Sequence, residues 1–178
     1  MRKLQNNELD RLTPAEMRLA DKNPIAIVLD NIRSMHNVGS AFRTADAFLC
    51  QQVYLCGITA CPPHREIHKT ALGATDSVAW QYLEHTTDAV EMLKAEDYKI
   101  VCVEQADESI PLQHFGVGSD EKLALIFGNE VRGVLDEVVQ MADVVVEIPQ
   151  FGTKHSLNVS VSIGVVVWDV FNKLNSIK

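Results

Sequence analysis

Short apolar runs separated by stretches of helical periodicity constrain this chain more than any other feature. The first run, Ile25-Ala26-Ile27-Val28-Leu29, is continuous and rich in β-branched residues, as a strand covered on both faces requires. Val53 to Ile58, Val78 to Leu83, Tyr98 to Val103, Leu123 to Phe127 and Val144 to Ile148 are further strand-like runs. Strands alternating with helices predict an α/β fold built on a mostly parallel sheet.

A chain of 178 residues suits one domain, which at this size buries roughly 70% of its unfolded surface. Residues 1–23 are polar and contain Thr13-Pro14, which predicts a short helix with proline at its first position. They form a lead-in to a domain over 24–178. From Thr86 to Glu96, Ala89, Val90 and Leu93 follow helical spacing, with Thr86 or Thr87 as the expected cap. The tail from Ser156 reads two ways. Val159, Val161, Ile163, Val165 and Val167 alternate like a strand, whereas Leu157, Val161, Trp168 and Phe171 suit one helix face. About 18 residues without a turn signal exceed the usual strand, so a helix is expected.

The opening MRKLQNNELDRL lacks the apolar stretch of a secretory signal and carries too many acids for a transit peptide, so a cytoplasmic location is expected. The apolar C-terminal run is interrupted by Asn158, Ser160, Ser162 and Asp169. It falls short of the ~20 residues a bilayer span needs, and no membrane is expected. Cys50, Cys56, Cys61 and Cys102 show no CxxC spacing and are expected as thiols. Cys61, His64 and His68 are the sharpest metal-like cluster, but a fourth ligand is missing. A polar loop running into a helix is the expectation there, with no metal.

The net charge of −8 argues at first sight against nucleic acid, whose phosphates attract basic surfaces. Distribution changes that reading. Between Glu84 and Glu121 ten acids face only Lys94 and Lys99, which accounts for the excess of the whole chain. Arg33, Arg43, Arg65, Lys69, Arg132 and Lys154 lie outside that stretch, so a basic face and an acidic back are compatible with the total.

Three segments carry chemistry. In the first, residues 31–48, polar residues open a helix whose apolar side is Val38, Ala41, Phe42, Ala45 and Phe48. Arg43 lies six residues after Asn37, about 120° round the axis, so the pair can hold a phosphate or a ribose edge. An Asn cap with a surface arginine is the plainer alternative. In the second, the strand ending at Phe127 runs into Gly128-Asn129-Glu130-Val131-Arg132-Gly133. Open α/β sheets bind ligands beyond such strand ends, and Gly128 would let a backbone amide approach a ligand. Glu130 is a surface acid or a site residue. No GxGxxG or GxxxxGK[ST] motif occurs. In the third, Ile148-Pro149 leads through a glycine-containing loop to Ser156, Leu157 and Asn158. Ser156 reads as a helix cap, Asn158 inside an apolar helix face needs a partner, and His155 reads as a loop residue.

The order Asn37 with Arg43, then Phe-Gly-Asn-Glu-x-x-Gly, then Ile-Pro-x-x-Gly-x-x-x-Ser-Leu-Asn-Val-Ser resembles the three motifs of the SpoU (TrmH-like) RNA ribose methyltransferases of the SPOUT superfamily, over about residues 24 to 172. Glu104-Gln105 is similar to the family as well. The resemblance implies a C-terminal trefoil knot, an exception to the unknotted rule, and a homodimer whose site is completed by the partner subunit. It implies S-adenosylmethionine bound by Glu104, Gln105, Phe127, Gly128, Asn129, Ile148, Ser156 and Leu157. It makes Asn37, Arg43, Glu130, Ser156 and Asn158 the active-site residues for methylating a ribose 2′-hydroxyl. Arg43 would align the phosphate and ease charge on the oxygen, because an arginine with a pKa above about 12 is a poor base. Asn37 would position the nucleotide, and Glu130 would support Arg43 or its loop. With only about 23 lead-in residues, transfer RNA is favoured as substrate over ribosomal RNA. A base methyltransferase and a non-catalytic RNA-binding module are the rival readings.

Overall fold

A computed structural model describes residues 1–5 and 8–176. Seven strands, β1 (Asn23–Asp30), β2 (Cys50–Cys56), β3 (Trp80–Leu83), β4 (Tyr98–Val103), β5 (Ile110–Pro111), β6 (Lys122–Phe127) and β7 (Val144–Glu147), form one sheet. Their order is β3-β2-β1-β6-β4-β7-β5, and every pairing is parallel. The helices are α1 (Pro14–Leu19), α2 (Met35–Ala47), α3 (Arg65–Ala71), α4 (Ala74–Ser77), α5 (Thr86–Ala95), α6 (Asp136–Met141) and α7 (Val159–Ser176).

The continuous apolar runs are explained by two cores, one on each face of the sheet. Successive strand residues point to opposite sides. Ile25, Ile27 and Leu29 join Phe42, Ile67, Ile163 and Val167, from α2, α3 and α7. Ala26 and Val28 join Val90, Leu93 and Val138, from α5 and α6. Neither parity of β1 meets water, so neither position can be polar. Helix α2 lies close to α3 because Gly39 has no side chain: a Cβ there would sit 2.1 Å from Thr70 Oγ1 and 2.3 Å from the Ile67 carbonyl. The lead-in is anchored as well, with Met17 of α1 buried in the core and the Arg18 guanidinium bonded to the Asp76 carbonyl at 2.8 Å. Thr13 and Glu16 form a capping box ahead of Pro14.

Several boundaries differ from expectation. The second strand begins at Cys50 rather than Val53 and stops at Cys56, where Gly57 turns with φ +61° and Ile58 emerges into solvent. The third begins at Trp80 because Val78 ends α4. The pair Ile110-Pro111, not foreseen as a strand, takes the sheet edge beside β7, where a residue without an N–H is tolerated. The tail is the expected helix, of 18 residues. No helix among the described residues is long and apolar enough to cross a membrane. Cys50, Cys56 and Cys102 are buried free thiols, and burial pushes Cys50 up to about 12. His64 caps α3, its Nδ1 accepting from the Glu66 amide at 3.2 Å.

Neither Thr86 nor Thr87 caps α5. His85 holds the cap position, and the Thr86 hydroxyl donates instead to Asp30 Oδ1 at 2.5 Å. Asp30 is fully buried at the end of β1; it also accepts from Asn31 Nδ2 at 2.8 Å and from the Leu135 amide at 2.8 Å. A buried carboxylate is tolerated only when its lone pairs are met in this way. Asp30→Ala should therefore lower the unfolding free energy by about 3 kcal/mol, through stranded donors rather than lost packing. Urea denaturation checks this; a loss under ~1 kcal/mol would contradict it.

Candidate active site

Three loops at the carboxyl ends of neighbouring strands converge on one cleft of about 580 Å³, within the size range of small-molecule sites. The loop after β4 supplies Glu104 and Gln105, and the loop after β6 supplies Gly128, Asn129 and Glu130 behind Phe127. The segment after β7 supplies Ile148, Ser156, Leu157 and Asn158. Ten of the twelve residues singled out from the sequence thus line a single surface. Asn37 stands behind it, and Arg43 lies elsewhere.

The loop after β6 is shaped by backbone contact. Asn129 and Gly133 exchange both amide-to-carbonyl bonds at 2.9 Å, and Gly133 has φ +70°, a conformation that favours glycine. A Cβ on Gly128 would fall 2.0 Å from the Val134 nitrogen. Gly128 therefore lets the loop's own returning segment pass close by, and it also lines the cleft. Glu104 holds the far side of the turn, accepting from the Val134 amide at 2.9 Å and from the Gln105 amide at 2.9 Å.

Carboxylate and amide side chains pin this loop to the start of α2. Glu130 accepts from the amides of Arg33 and Ser34, both at 3.0 Å, and from Asn37 Nδ2 at 2.9 Å. Asn129 Nδ2 donates to the Asn31 carbonyl at 2.7 Å. Glu130 thus supports its loop and not Arg43. Partial burial pushes the Glu130 carboxyl up, but the bonds it accepts from backbone amides and from Asn37 outweigh burial and hold it below its ordinary value.

The two asparagines exchange the roles read from sequence. Asn37 is no cap: Ser34 is, its hydroxyl accepting from the Asn37 amide at 3.4 Å, and Asn37 is 7% exposed. Asn158 is not inside an apolar helix face. It precedes α7, its Oδ1 accepting from the Ser160 amide at 2.9 Å, which leaves Ser156 in the exposed loop instead of at the cap. His155 is likewise a loop residue, and its carbonyl accepts from Gln105 Nε2 at 3.0 Å.

Arg43 lies two turns along α2, exposed in a separate cleft shared with Ser40, Thr44, Phe48 and Lys69. Sequence reasoning missed Asp30, which holds Leu135, and Thr59, whose hydroxyl links the Ile32 amide to the Leu29 carbonyl at 2.9 and 3.0 Å. The polar pair Asp30-Asn31 directly after the apolar run Ile25 to Leu29 was the available signal. Among the described residues, no group of three or more His, Cys, Asp or Glu side chains is arranged to hold a metal.

Because the Glu130 carboxyl is depressed, its contribution is fully present above the unfolded value of 4.5 and is lost as pH falls through the lower folded value. Amide exchange at Arg33 and Ser34 should accelerate below pH 4.5 relative to the core, after correction for intrinsic rates. In Glu130→Gln it should be fast at neutral pH and lose that acid dependence. Equal protection in both proteins would refute the pin.

Residues 24–168 match the model of the SpoU rRNA Methylase family. The chain is 30% identical over 151 residues to the tRNA (guanosine(18)-2′-O)-methyltransferase of Aquifex aeolicus, covering 82% of this chain and 67% of that protein. It is 31% identical over 144 residues to a 23S rRNA (guanosine-2′-O-)-methyltransferase of Neisseria meningitidis, covering 81% and 56%. The AdoMet-bound rRNA methyltransferase from Sinorhizobium meliloti superposes with a TM-score of 0.79 at 25% identity, over 92% of this chain and 62% of that one. The chain spans about two thirds or less of the length of these relatives. The match over most of its length, on a parallel sheet whose strand-end loops meet in one cleft, means that the chain belongs to the SpoU methylase family.

Proposed function

We propose that this protein transfers a methyl group from S-adenosylmethionine to a ribose 2′-hydroxyl of RNA. The observation that carries the reading is the convergence of the three strand-end loops, with motif residues from each, on one cleft. Its walls suit the cofactor: Phe127, Ile148 and Leu157 offer apolar surface, and Glu104, Glu130 and Glu147 surround it with carboxylates that favour a sulfonium cation. When bound, the cofactor supplies an electrophilic methyl group. Gln105 would hold the loop around Ser156 and Leu157, through its bond to His155, while Glu104 and Glu130 keep the opposite loop in place. Transfer needs the ribose oxygen aligned with the methyl carbon as it gives up its proton. Arg43 would anchor the nucleotide and ease the developing charge on that oxygen. Asn37, held by Glu130, would position the same nucleotide from the start of α2.

Arg43 lies outside the cofactor cleft, and a homodimer accounts for this. Val161, Val165 and Trp168 form an exposed apolar stripe on α7, extended by Phe48, whose ring lies 5.5 Å from Trp168. The groove along this stripe is lined by both Ile148 and Phe48. It therefore links the cofactor cleft to the Arg43 cleft. A two-fold contact across this stripe would bring Arg43 of one subunit toward the cofactor cleft of its partner. The strand order, with β7 between β4 and β5, and the Gln105 tether to the tail loop support a trefoil knot of the C-terminal segment. The catalytic unit spans 24–178 behind the lead-in, acts in the cytoplasm and prefers transfer RNA, with ribosomal RNA the second choice.

Incubation with methyl-labelled cofactor and separate pools of unmodified transfer and ribosomal RNA should yield a labelled 2′-O-methylnucleoside. Label on a base would reject the ribose assignment, and cofactor binding without any transfer would favour an RNA-binding module. Arg43→Ala should reduce transfer about a hundredfold or more with cofactor affinity unchanged within a few fold. In light scattering, Trp168→Glu should convert a dimer into the 19.8 kDa monomer and abolish transfer; an active monomer would overturn the shared site.

A further inference from the structure

The two faces of the sheet differ in charge as well as in packing. Helix α5, on the far face, carries Asp88 and Glu91 within the acidic stretch. On the near face α2 and α3 carry Arg43, Arg65 and Lys69 together with His36, His64 and His68, all exposed. Two acids, Asp46 and Glu66, lie among them, fewer than the three permanent cations Arg43, Arg65 and Lys69. Glu66 pairs with His36 at 3.0 Å and Lys69 at 2.7 Å, and Asp46 accepts from the Ser77 hydroxyl at 2.6 Å. Arg43 and Arg65 make no ion pair among the described residues. A cleft of about 390 Å³ separates Arg43 on α2 from Lys69 on α3. The ridge also adjoins the active site, because His36 immediately precedes Asn37, the partner of Glu130.

We propose that the α2–α3 ridge, through His36, Arg65 and Lys69, binds the sugar–phosphate backbone of the RNA substrate at nucleotides outside the one that is methylated. This rests on the RNA methyltransferase reading above and adds where the polymer runs. A chain with a net charge of −8 cannot attract a polyanion uniformly, so its affinity must come from a local basic surface. The ridge supplies one on the face opposite the acidic helix. The Thr44 hydroxyl lines the cleft and complements a phosphate or ribose oxygen, whereas the hydroxyls of Ser40 and Thr70 donate to the His36 carbonyl at 2.9 Å.

The test is tRNA binding by the full chain as a function of salt, comparing wild type with the double variant Arg65→Glu, Lys69→Glu and with Arg65→Lys, Lys69→Arg. The reversal should weaken binding about tenfold or more and reduce the slope of log affinity against log salt by about two, one for each phosphate contact. The charge-conserving pair should keep wild-type affinity, and cofactor affinity should be equal in all three. Unchanged RNA affinity and slope in the reversal would overturn the ridge, even if the wild type methylates RNA. Loss of RNA binding on reversal, in a protein that methylates no RNA, would uphold the ridge and reject the enzymatic reading. No RNA binding by the wild type would overturn both.

Discussion

The candidate site depends on side chains that bond to backbone at the carboxyl ends of β1 and β6. Asp30, Asn129 and Glu130 tie the loop after β6 to the segment entering α2. Each is an acceptor or donor placed against main-chain groups that a strand end leaves unpaired, and such groups must find partners when half-buried. With them in place, the loop cannot drift away from α2, and Asn37 is oriented as a consequence. The cleft is thus a by-product of satisfying backbone polarity at a crowded strand end.

The parallel sheet explains why that end is crowded. With β1 inside the sheet and buried on both faces, its neighbours β2 and β6 both run parallel to it, so their following loops all open on the same edge. Inserting β7 between β4 and β5 brings the segment after β7 to that edge too, beside Glu104 and Gln105. The same two-layer construction separates charge. Helices packed on opposite faces cannot share a solvent surface, so an acidic α5 leaves the α2–α3 face free to be basic.

Much of this was legible in the residues. Continuous runs such as Ile25 to Leu29 suit strands buried on both sides, and the six runs all became strands. Residues of the second and third motifs gathered with Glu104 and Gln105 in one cleft, although they are up to 54 positions apart between Glu104 and Asn158; Asn37 and Arg43 of the first did not. Capping was less legible. Ser34, Asn37, Ser156 and Asn158 are all good caps by residue type, and only the position at which backbone geometry becomes helical decides which of them acts. Asn37 falls three residues inside α2 and turns to Glu130, whereas Asn158 falls one residue before α7 and caps it. Thr86 left the cap for Asp30 because a buried carboxylate competes more strongly for a hydroxyl than an exposed helix end does.

The sequence by itself determined the class of fold, the elements and the residues able to meet in a site, because hydrophobic period and turn chemistry are local properties of the chain. Only the tertiary structure decided that Glu130 bonds to the entry of α2, that Asp30 holds the Leu135 amide, and that Arg43 stands apart from the strand-end cleft. The bonds of Glu130 and Asp30 join segments about a hundred residues apart, and no local pattern carries them.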